Sequence, residues 1–309
     1  MEFREITASE ERERLLTIVL RESPEDDVAA LTTRLASDDR VLVGLADTPL
    51  LSGLAIAAQL QSGGGSFIWP VQPAETDPGS ADSHAQLDVA LGGITRAVAW
   101  LKNRGAAHVQ SLLDPKDDWN QTLFHTAGFS HLADLAYLGA EPTEFPEARP
   151  QSRLGFRSHS ETMLDAQLSQ MTVILERTYA GTQDCPAMSD LQPAKNAIES
   201  YQSIGKFDPQ NWFLIDVQGQ AAGCLILAEQ TDGAIPVLEL VYMGIVPEVR
   251  GRGFGVEIVR FAQWVAREKC AERLVLAVDT NNQPALAMYA ECGFGLWGQR
   301  RAMIKKLDG

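Results

Sequence analysis

Cysteine is scarce in this sequence, and long apolar runs are missing. The four cysteines, Cys185, Cys224, Cys270 and Cys292, show neither metal-ligand spacing nor a disulfide framework. No apolar run reaches the roughly 18 residues that a membrane-spanning helix needs. No apolar signal-peptide core follows Met1. The sequence therefore predicts a protein of the reducing cytoplasm, without disulfides and without a membrane partner.

Positive charge is also scarce. Lysine and arginine number 26 against 41 aspartates and glutamates, which gives a net charge of -15. Nucleic-acid binding depends on basic surface, so the composition argues against a nucleic-acid partner. The five histidines form no His-x-x-x-His pair, and no carboxylate cluster accompanies them, so no metal site is expected. The length of 309 residues, 45% of them hydrophobic, suits about two domains.

One glycine-rich stretch lies between two apolar segments. It runs Val246-Pro247-Glu248-Val249-Arg250-Gly251-Arg252-Gly253-Phe254-Gly255. The apolar run 238–245 before it predicts a strand, and the periodic run 256–265 after it predicts a helix. Glycines let the main chain approach a ligand closely, and amides at a helix N-terminus favour phosphate. The stretch therefore predicts a loop that holds a pyrophosphate.

Spacing separates three kinds of nucleotide-binding loop. A Walker A loop requires Gly-Lys-Ser/Thr, which this stretch lacks. A dinucleotide fingerprint requires its third glycine where the chain has Val256. The remaining pattern is Arg-Gly-x-Gly-x-Gly after a strand and Val-Pro. Three glycines alone do not exclude a glycine-rich turn without a ligand.

A second motif lies downstream, at residues 278–294. The apolar run 274–278 predicts a strand, residues 279–283 a turn and helix cap, and residues 284–291 a short helix. Tyr289 on this helix, taken alone, is typical of an aromatic residue in a core. Its place after the glycine loop favours a functional role.

The two motifs together resemble those of the GNAT acyltransferases. The first is similar to the coenzyme A loop of that family, and the second to its Asn-x-x-Ala-x-x-Leu/Met-Tyr signature followed by Gly-Phe. The resemblance implies that Asn282 contacts the cofactor and that Tyr289 protonates the leaving thiolate. It also implies that six loop residues wrap the pyrophosphate: Arg250, Gly251, Arg252, Gly253, Phe254 and Gly255.

The strand before the loop carries the expected base. An alkyl amine is mostly protonated at neutral pH, so transfer to it requires a group that accepts its proton. Glu239 is the candidate, because alternation places it on one face with Val241, Met243 and Ile245. In histone acetyltransferases and mycothiol synthases of the superfamily, a glutamate at this place is the base. The alternative is a strand-edge carboxylate in water or paired with an arginine.

The resemblance also implies main-chain contacts from the same strand. In the family this strand diverges from its neighbour, and its main chain bonds the pantetheine arm. Those contacts fall on Met243, Gly244 and Ile245. A ligand arm that takes the hydrogen bonds of a missing strand partner explains why the fold has such a gap.

The first half of the chain repeats the second half in outline. Residues 117–129 parallel the second motif, but Phe124 replaces the tyrosine. Residues 71–83, which replace the glycine loop, contain acids and prolines and no basic residue. Such a loop would repel a pyrophosphate, so the first half is expected to bind no acetyl-CoA.

The sequence thus predicts an α/β (α+β) protein of two tandem GNAT-like domains. Each is expected to contain a mixed, mostly antiparallel, twisted sheet flanked by helices. The expected segments are a degenerate domain at 1–140, a Pro-rich linker at 141–153 and a catalytic domain at 154–309. This layout is similar to that of mycothiol synthases, but a layout says little about the substrate.

The expected activity is direct transfer of an acetyl group from acetyl-CoA to a primary amine of a small-molecule acceptor, without a metal. Asp184 and Cys185 are weaker candidates for contacts with the acceptor. Cys185 is not expected to act as a nucleophile, because no histidine partner is apparent. The alternatives are acetylation of protein or peptide amines, and a coenzyme A-binding sensor without transfer.

Overall fold

The computed structural model describes residues 2–22, 28–48, 51–74, 83–158, 164–189, 191–230 and 236–307. The chain divides into two compact units. The first contains the residues up to 132 together with those from 300 onward, and the second contains residues 133–299.

The first unit has helices on both faces of a mostly antiparallel sheet. Its elements are β1 (Glu2–Glu5), α1 (Ser9–Val19), α2 (Val28–Ser37), β2 (Val41–Thr48), β3 (Leu51–Leu60), β4 (Ser66–Ile68), β5 (Gln72–Pro73), α3 (Ser83–Lys102), β6 (His108–Leu113) and α4 (Asp118–Thr126). The strand order is β1-β2-β3-β4-β6, with β5 beside β3. The neighbours are antiparallel except β4 and β6, which are parallel.

The second unit repeats this plan. Its elements are β7 (Ser130–Ala140), β8 (Leu154–Ser158), α5 (Leu164–Tyr179), α6 (Pro186–Ser189), α7 (Ala194–Tyr201), β9 (Trp212–Val217), β10 (Gln220–Gln230), β11 (Val237–Ile245), α8 (Phe254–Glu268), β12 (Arg273–Asp279) and α9 (Gln283–Glu291). The last strand, β13 (Gly295–Lys306), begins in the second unit and continues into the first. The strand order is β7-β12-β11-β10-β9-β8. Only β11 and β12 are parallel. The predicted fold class is confirmed.

Two cores hold the helices of the second unit against its sheet. The α8/α9 core contains Ile258, Ala262 and Tyr289 together with one face of the strands. The α5/α7 core contains Leu175 and Ile198 together with the opposite face. Apolar residues recur on α5 and α8 at helical spacing, so each helix buries one face.

Strands β7 and β13 differ from the predicted segmentation. Residues 135–140 of β7 pair with β12 in the second unit. Residues 301–306 of β13 pair with β6 in the first unit, where Met303 is buried in the core. The two units therefore differ from the segments 1–140 and 154–309, because the closing strand of each half of the chain belongs to the other unit.

The Pro-rich segment 141–153 packs against the second unit. Phe145 is buried in the α8/α9 core, and Arg260 donates a hydrogen bond to the carbonyl of Glu144 at 3.3 Å. The guanidinium of Arg149 lies 5.3 Å from the ring centroid of Trp264. The segment contains a 3-10 turn at Pro142–Glu144, and its contacts anchor it to α8.

Candidate active site

Strands β11 and β12 diverge at Glu239. Their parallel pairing ends at Glu239 and Val275, although β11 continues to Ile245 and β12 to Asp279. On their outer sides, β11 pairs with β10 and β12 with β7. Within the described residues, the facing edges of β11 and β12 therefore lack a strand partner beyond Glu239. Such a gap can take the hydrogen bonds of an extended ligand.

A β-bulge interrupts β11 inside this gap. Leu240 pairs with Leu227 and Tyr242 with Ile226, so Val241 is the extra residue. Val241 and Tyr242 both pack against the α5/α7 core, although they are consecutive. The bulge thus reverses the alternation of side chains along the strand.

The predicted alternation along β11 is therefore wrong. Met243 and Ile245 pack against the α8/α9 core. Glu239 pairs with Ala228, which lies two residues after Ile226 on β10 and therefore on the same face. Ile226 belongs to the α5/α7 core, so Glu239 lies on the face of that core. A strict period of two cannot anticipate a bulge, which inserts one residue without changing the composition of the strand.

The glycine loop connects this strand to α8. Gly251 and Gly253 have φ values of 74° and 77°, in the left-handed region that favours glycine. Gly253 is the N-cap residue of α8. Within the described part of the chain, the amides of residues 251–255 donate no hydrogen bond to a protein group. Amides and dipole at this helix N-terminus are therefore available to an anion such as a pyrophosphate.

Two other glycines of the site are required by packing. A Cβ on Gly255 would lie 2.4 Å from Sδ of Met288, so the glycine lets α8 and α9 approach closely. A Cβ on Gly244 would lie 2.8 Å from Oγ1 of Thr178. Gly244 therefore packs directly against Thr178 of α5, where a larger residue would clash. This steric reason for glycine is separate from the predicted approach of a ligand.

Main-chain carbonyls hold the guanidinium of Arg250. Nε donates to the carbonyl of Ile245 at 2.9 Å, at the end of β11. Nη2 donates to Thr178 at 2.7 Å, and Nη1 to Ala180 at 2.8 Å and Gly181 at 3.1 Å. These bonds satisfy carbonyls at the C-terminus of α5. The side chain therefore fastens the loop to α5.

The second motif forms the strand-turn-helix that the sequence predicts. Asn282 is the N-cap residue of α9, and its Oδ1 accepts a hydrogen bond from the amide of Ala285 at 3.3 Å. Tyr289 is 6% exposed, and its ring lies 5.4 Å from that of Phe294. Burial, with a smaller effect of the Asp184 charge, raises the pKa of Tyr289, so the phenol stays protonated at neutral pH.

Glu239 is partly exposed at the point of divergence. Its Oε2 accepts a hydrogen bond of 2.6 Å from Nε2 of Gln230 on β10. This hydrogen bond directs the carboxylate of Glu239 toward β10.

Three tyrosines lie on the same face as Glu239. The hydroxyls of Tyr242 and Thr178 are 2.7 Å apart. The ring of Tyr242 stacks on that of Tyr201 at 5.7 Å and meets that of Tyr179 edge-on at 6.5 Å. Burial raises the pKa of Tyr179 to about 12, so it carries a hydroxyl and no charge. These rings give this face an apolar wall with polar groups at fixed positions.

The segment between α5 and α6 is tied to the end of β12. The amide of Asp279 donates to Oδ1 of Asp184 at 2.8 Å, and the amide of Cys185 donates to Oδ2 of Asp279 at 3.3 Å. Asp279 is buried, whereas Asp184 retains exposed surface. Desolvation by the surrounding protein nevertheless raises the pKa of the Asp184 carboxyl, and the Asp279 charge adds to this effect. The hydrogen bond from the Asp279 amide acts in the opposite direction.

The thiol of Cys185 has the wrong environment for a nucleophile. Burial and the charges of Asp184 and Asp279 raise its pKa to about 12, so almost none is thiolate at neutral pH. Its backbone φ of 42° belongs to the left-handed region. Cys185 shapes the turn that presents Asp184.

Sequence reasoning missed Thr178, Gln230 and Asp279. Thr178 and Asp279 have partners that are distant in sequence, Tyr242 and Cys185. Gln230 bonds Glu239 on the neighbouring strand. Only Asp279 carries a usable signal, because a carboxylate at a strand end just before a helix cap is a common site residue.

Metal-ligand groups and membrane-spanning helices are both absent from the residues that the structure describes. In these ranges, His, Cys, Asp and Glu side chains form no group of three that could hold a metal ion. No helix there is both long and apolar enough to cross a membrane.

Comparison with known proteins agrees with this geometry. Residues 175–294 match the profile described as Acetyltransferase (GNAT) family. A mycothiol acetyltransferase of Arthrobacter sp. is 24% identical over 258 residues, which cover 80% of this chain and 72% of that protein. One from Acidothermus cellulolyticus is 28% identical over 104 residues, which cover 30% of this chain and 32% of that protein. The match to the latter thus spans about a third of its length.

Solved structures extend the likeness of fold to the whole chain. A GCN5-related N-acetyltransferase from Sphaerobacter thermophilus superposes with a TM-score of 0.65 at 13% identity, covering 99% of this chain and 95% of that one. A tandem GNAT protein from the clavulanic acid biosynthesis pathway gives a TM-score of 0.56 at 9% identity, covering 100% and 99%. The predicted GNAT resemblance and tandem architecture are confirmed.

Proposed function

We propose that this protein is an acetyl-CoA-dependent N-acetyltransferase that moves an acetyl group directly to a primary amine of a small molecule. The observation that carries the proposal is the gap between β11 and β12, which begins at Glu239 and leads to five free amides at residues 251–255. This gap suits an extended chain that ends in phosphates.

The donor would lie along β11. The main chain of Met243, Gly244 and Ile245 borders the gap and can bond the pantetheine arm, while the loop amides bind the pyrophosphate. Asn282 caps α9 through its oxygen, which leaves its NH2 group for the donor. Arg250 acts as a positioning residue for the loop. Acetyl-CoA would supply the activated acetyl group.

The two proposed catalytic groups lie on opposite faces of the sheet. Glu239 lies on the face of the α5/α7 core, and Tyr289 belongs to the α8/α9 core. An amine would approach from the Glu239 side and lose its proton to that carboxylate, directly or through water. The thiolate would leave toward Tyr289, whose raised pKa keeps a proton available for it.

Relatives support a small-molecule acceptor. The curated proteins that match this chain are named mycothiol acetyltransferases. On the acceptor side, the rings of Tyr179, Tyr201 and Tyr242 offer an apolar surface, and the Asp184 carboxyl offers a hydrogen-bond acceptor to an amine. We therefore infer a compact polar amine that loses a proton at Glu239.

The first unit is proposed to bind no acetyl-CoA. Its Asn120 accepts a hydrogen bond from the amide of Val71 at 2.9 Å and donates to the carbonyl of Val71 at 3.2 Å. Ala285 occupies the equivalent position in the second unit. The side chain of Asn120 thus takes the hydrogen bonds of the Val71 main chain, between β4 and β5. These groups are not free to bond a ligand. Residues 75–82 of the acidic loop lie outside the described residues.

Mass spectrometry of the products tests the proposal. The protein is incubated with acetyl-CoA and a panel of amines, polyamines, aminoglycosides, amino-sugar conjugates and short peptides. An N-acetylated small molecule is the expected product. Acetylated peptides alone would favour the protein acetyltransferase. Binding of acetyl-CoA without any product would favour the sensor.

A further inference from the structure

Arg153 is fixed beside the glycine loop, although it lies about a hundred residues before it in sequence. Its Nη2 donates to the carbonyl of Arg252 at 3.0 Å, and its guanidinium lies 4.8 Å from the ring centroid of Phe254. Its Nε donates to Oε1 of Glu257 at 2.7 Å. A Cβ on Gly253 would lie 3.8 Å from Nη2. The guanidinium therefore borders the N-terminus of α8.

Glu257 is anchored so that it holds this arginine in place. Its Oε2 accepts hydrogen bonds from Oγ of Ser152 at 2.7 Å and from the amide of Arg153 at 2.8 Å. Although burial opposes it, these bonds and the Arg153 guanidinium lower the pKa of Glu257, so the carboxylate stays ionised. With Nε and Nη2 engaged, Nη1 is left without a partner among the described residues, and 63% of the arginine side chain is exposed.

The charge around the loop is positive in a chain whose net charge is -15. Glu248 is offset by an ion pair with Arg177 at 3.2 Å, and Glu257 by Arg153. Arg252 remains exposed, with one hydrogen bond to a main-chain carbonyl at 3.2 Å. Positive charge therefore lies beside the loop in addition to the loop amides. This charge suits a second phosphate besides the pyrophosphate.

We propose that Arg153 binds the ribose 3′-phosphate of coenzyme A and makes the site selective for acyl-CoA over acyl-dephospho-CoA. This inference rests on the proposed function. Coenzyme A carries that phosphate one ribose away from its pyrophosphate. An arginine already oriented against the loop carbonyl can donate from its free Nη1 to that phosphate, as a charge-assisted hydrogen bond. Little side-chain entropy would be lost, because Glu257 and Phe254 already hold the arginine.

Calorimetry with two donors tests the assignment. Acetyl-CoA and acetyl-dephospho-CoA are titrated into the full-length protein and into Arg153→Gln. The wild type is expected to bind acetyl-CoA at least about tenfold more tightly, the size of one charge-assisted hydrogen bond. Arg153→Gln is expected to lose that preference while its affinity for acetyl-dephospho-CoA stays within about twofold.

Arg149→Gln is the matched control, because Arg149 lies in the same segment and stacks on Phe261 and Trp264 of α8. It should keep the wild-type preference, and circular dichroism should show both variants folded. Equal affinity of the wild type for the two donors would overturn the assignment. An equal loss for both donors in Arg153→Gln would also overturn it, since the arginine would then act on the loop. If the wild type binds neither donor, the proposed function itself fails.

Discussion

The proposed base, Glu239, and the proposed acid, Tyr289, lie in different surroundings. Glu239 is partly exposed and bonded to an amide at 2.6 Å. Tyr289 is buried, and burial raises its pKa. A base needs an ionised form and an acid needs a protonated form at the same pH. Burial supplies the protonated form at Tyr289, and Glu239 is the group proposed to accept the proton.

Replacing Glu239 with Gln should lower kcat/KM at neutral pH by about a hundredfold or more, the usual size of a general-base effect. The deficit should shrink as the pH rises toward the pKa of an alkyl amine, about 10.4, because the amine then arrives without its proton. A pH profile of thiol release from acetyl-CoA measures this.

Glu229→Gln is the control for this prediction. Glu229 lies on β10 opposite Leu238 and next to the partner position of Glu239. Its change should leave the profile close to that of the wild type. A Glu239→Gln profile parallel to the wild type at every pH would remove Glu239 from the role of base.

Individual residues could be predicted from the sequence only where a motif fixes their place. The spacing around Asn282 and Tyr289 predicts a cap and a buried helical aromatic, and both are found. The spacing around Arg250 predicts a phosphate contact, but its guanidinium bonds carbonyls at the end of α5. That contact joins residues 72 positions apart, and no local pattern encodes it.

At the scale of elements, β11 decides the geometry of the site. Its parallel pairing with β12 stops at Glu239, and its bulge at Val241 turns Glu239 and Met243 to different faces. The sequence predicts this strand, its loop and the following helix correctly. The bulge depends on the register with β10, which composition does not reveal.

Gly244→Ala should destabilise the second unit. The new Cβ would lie 2.8 Å from Oγ1 and 2.9 Å from Cβ of Thr178, and 2.9 Å from Cε1 of Tyr242. Thr178 is β-branched and helical, so it cannot rotate away freely. Overpacking of this kind costs about 1–3 kcal/mol in the free energy of unfolding. Urea unfolding measures it.

Gly295→Ala is the matched control for this steric argument. A Cβ on Gly295 meets no atom within 4 Å. Its unfolding free energy should therefore change by less than about 0.5 kcal/mol. If Gly244→Ala is no less stable than Gly295→Ala, the close packing of α5 on β11 is incorrect.

At the scale of the whole molecule, the last strand of each half of the chain, β7 and β13, determines where the boundary between the two units falls. β7 pairs with β12 in the second unit, and residues 301–306 of β13 pair with β6 in the first. The internal repeat predicts two similar units, and two are found. It does not predict which β-strand edge each closing strand joins, because the two repeats offer similar edges.

Met303→Ala should destabilise the first unit, although Met303 lies near the C-terminal end of the chain. Met303 is 4% exposed in the core that also contains Ile94 and Leu113. Removing such a side chain costs about 2–5 kcal/mol. Hydrogen exchange should become faster in β6 and β3 and stay unchanged in β10. Leu296→Ala, at a position 60% exposed on the same strand, is the control. Faster exchange confined to β10 would contradict the assignment of β13.

Stability should fall in mild acid because of His108. This residue of the first unit is 2% exposed, and its Nδ1 has no hydrogen-bond partner among the described residues. Burial lowers the pKa of His108 below its ordinary 6.5. Below about pH 6.5 the unfolded chain therefore binds a proton that the folded chain refuses, so stability is lost as the pH falls.

The urea midpoint at about pH 5 and about pH 7.5 measures this effect. His108→Gln should show a smaller difference between the two pH values than the wild type, because Gln cannot titrate. The same pH dependence in both proteins would mean that other groups cause it.

The measurement that tests the central claim most directly is release of free thiol from acetyl-CoA, with and without the amine panel, by the wild type and Tyr289→Phe. Calorimetry of acetyl-CoA binding accompanies it. The account predicts acceptor-dependent release that falls by about a hundredfold or more in Tyr289→Phe, with donor affinity changed little. Equal turnover in the two proteins would contradict the acid role of Tyr289, and a wild type that does not bind acetyl-CoA would contradict the proposed site.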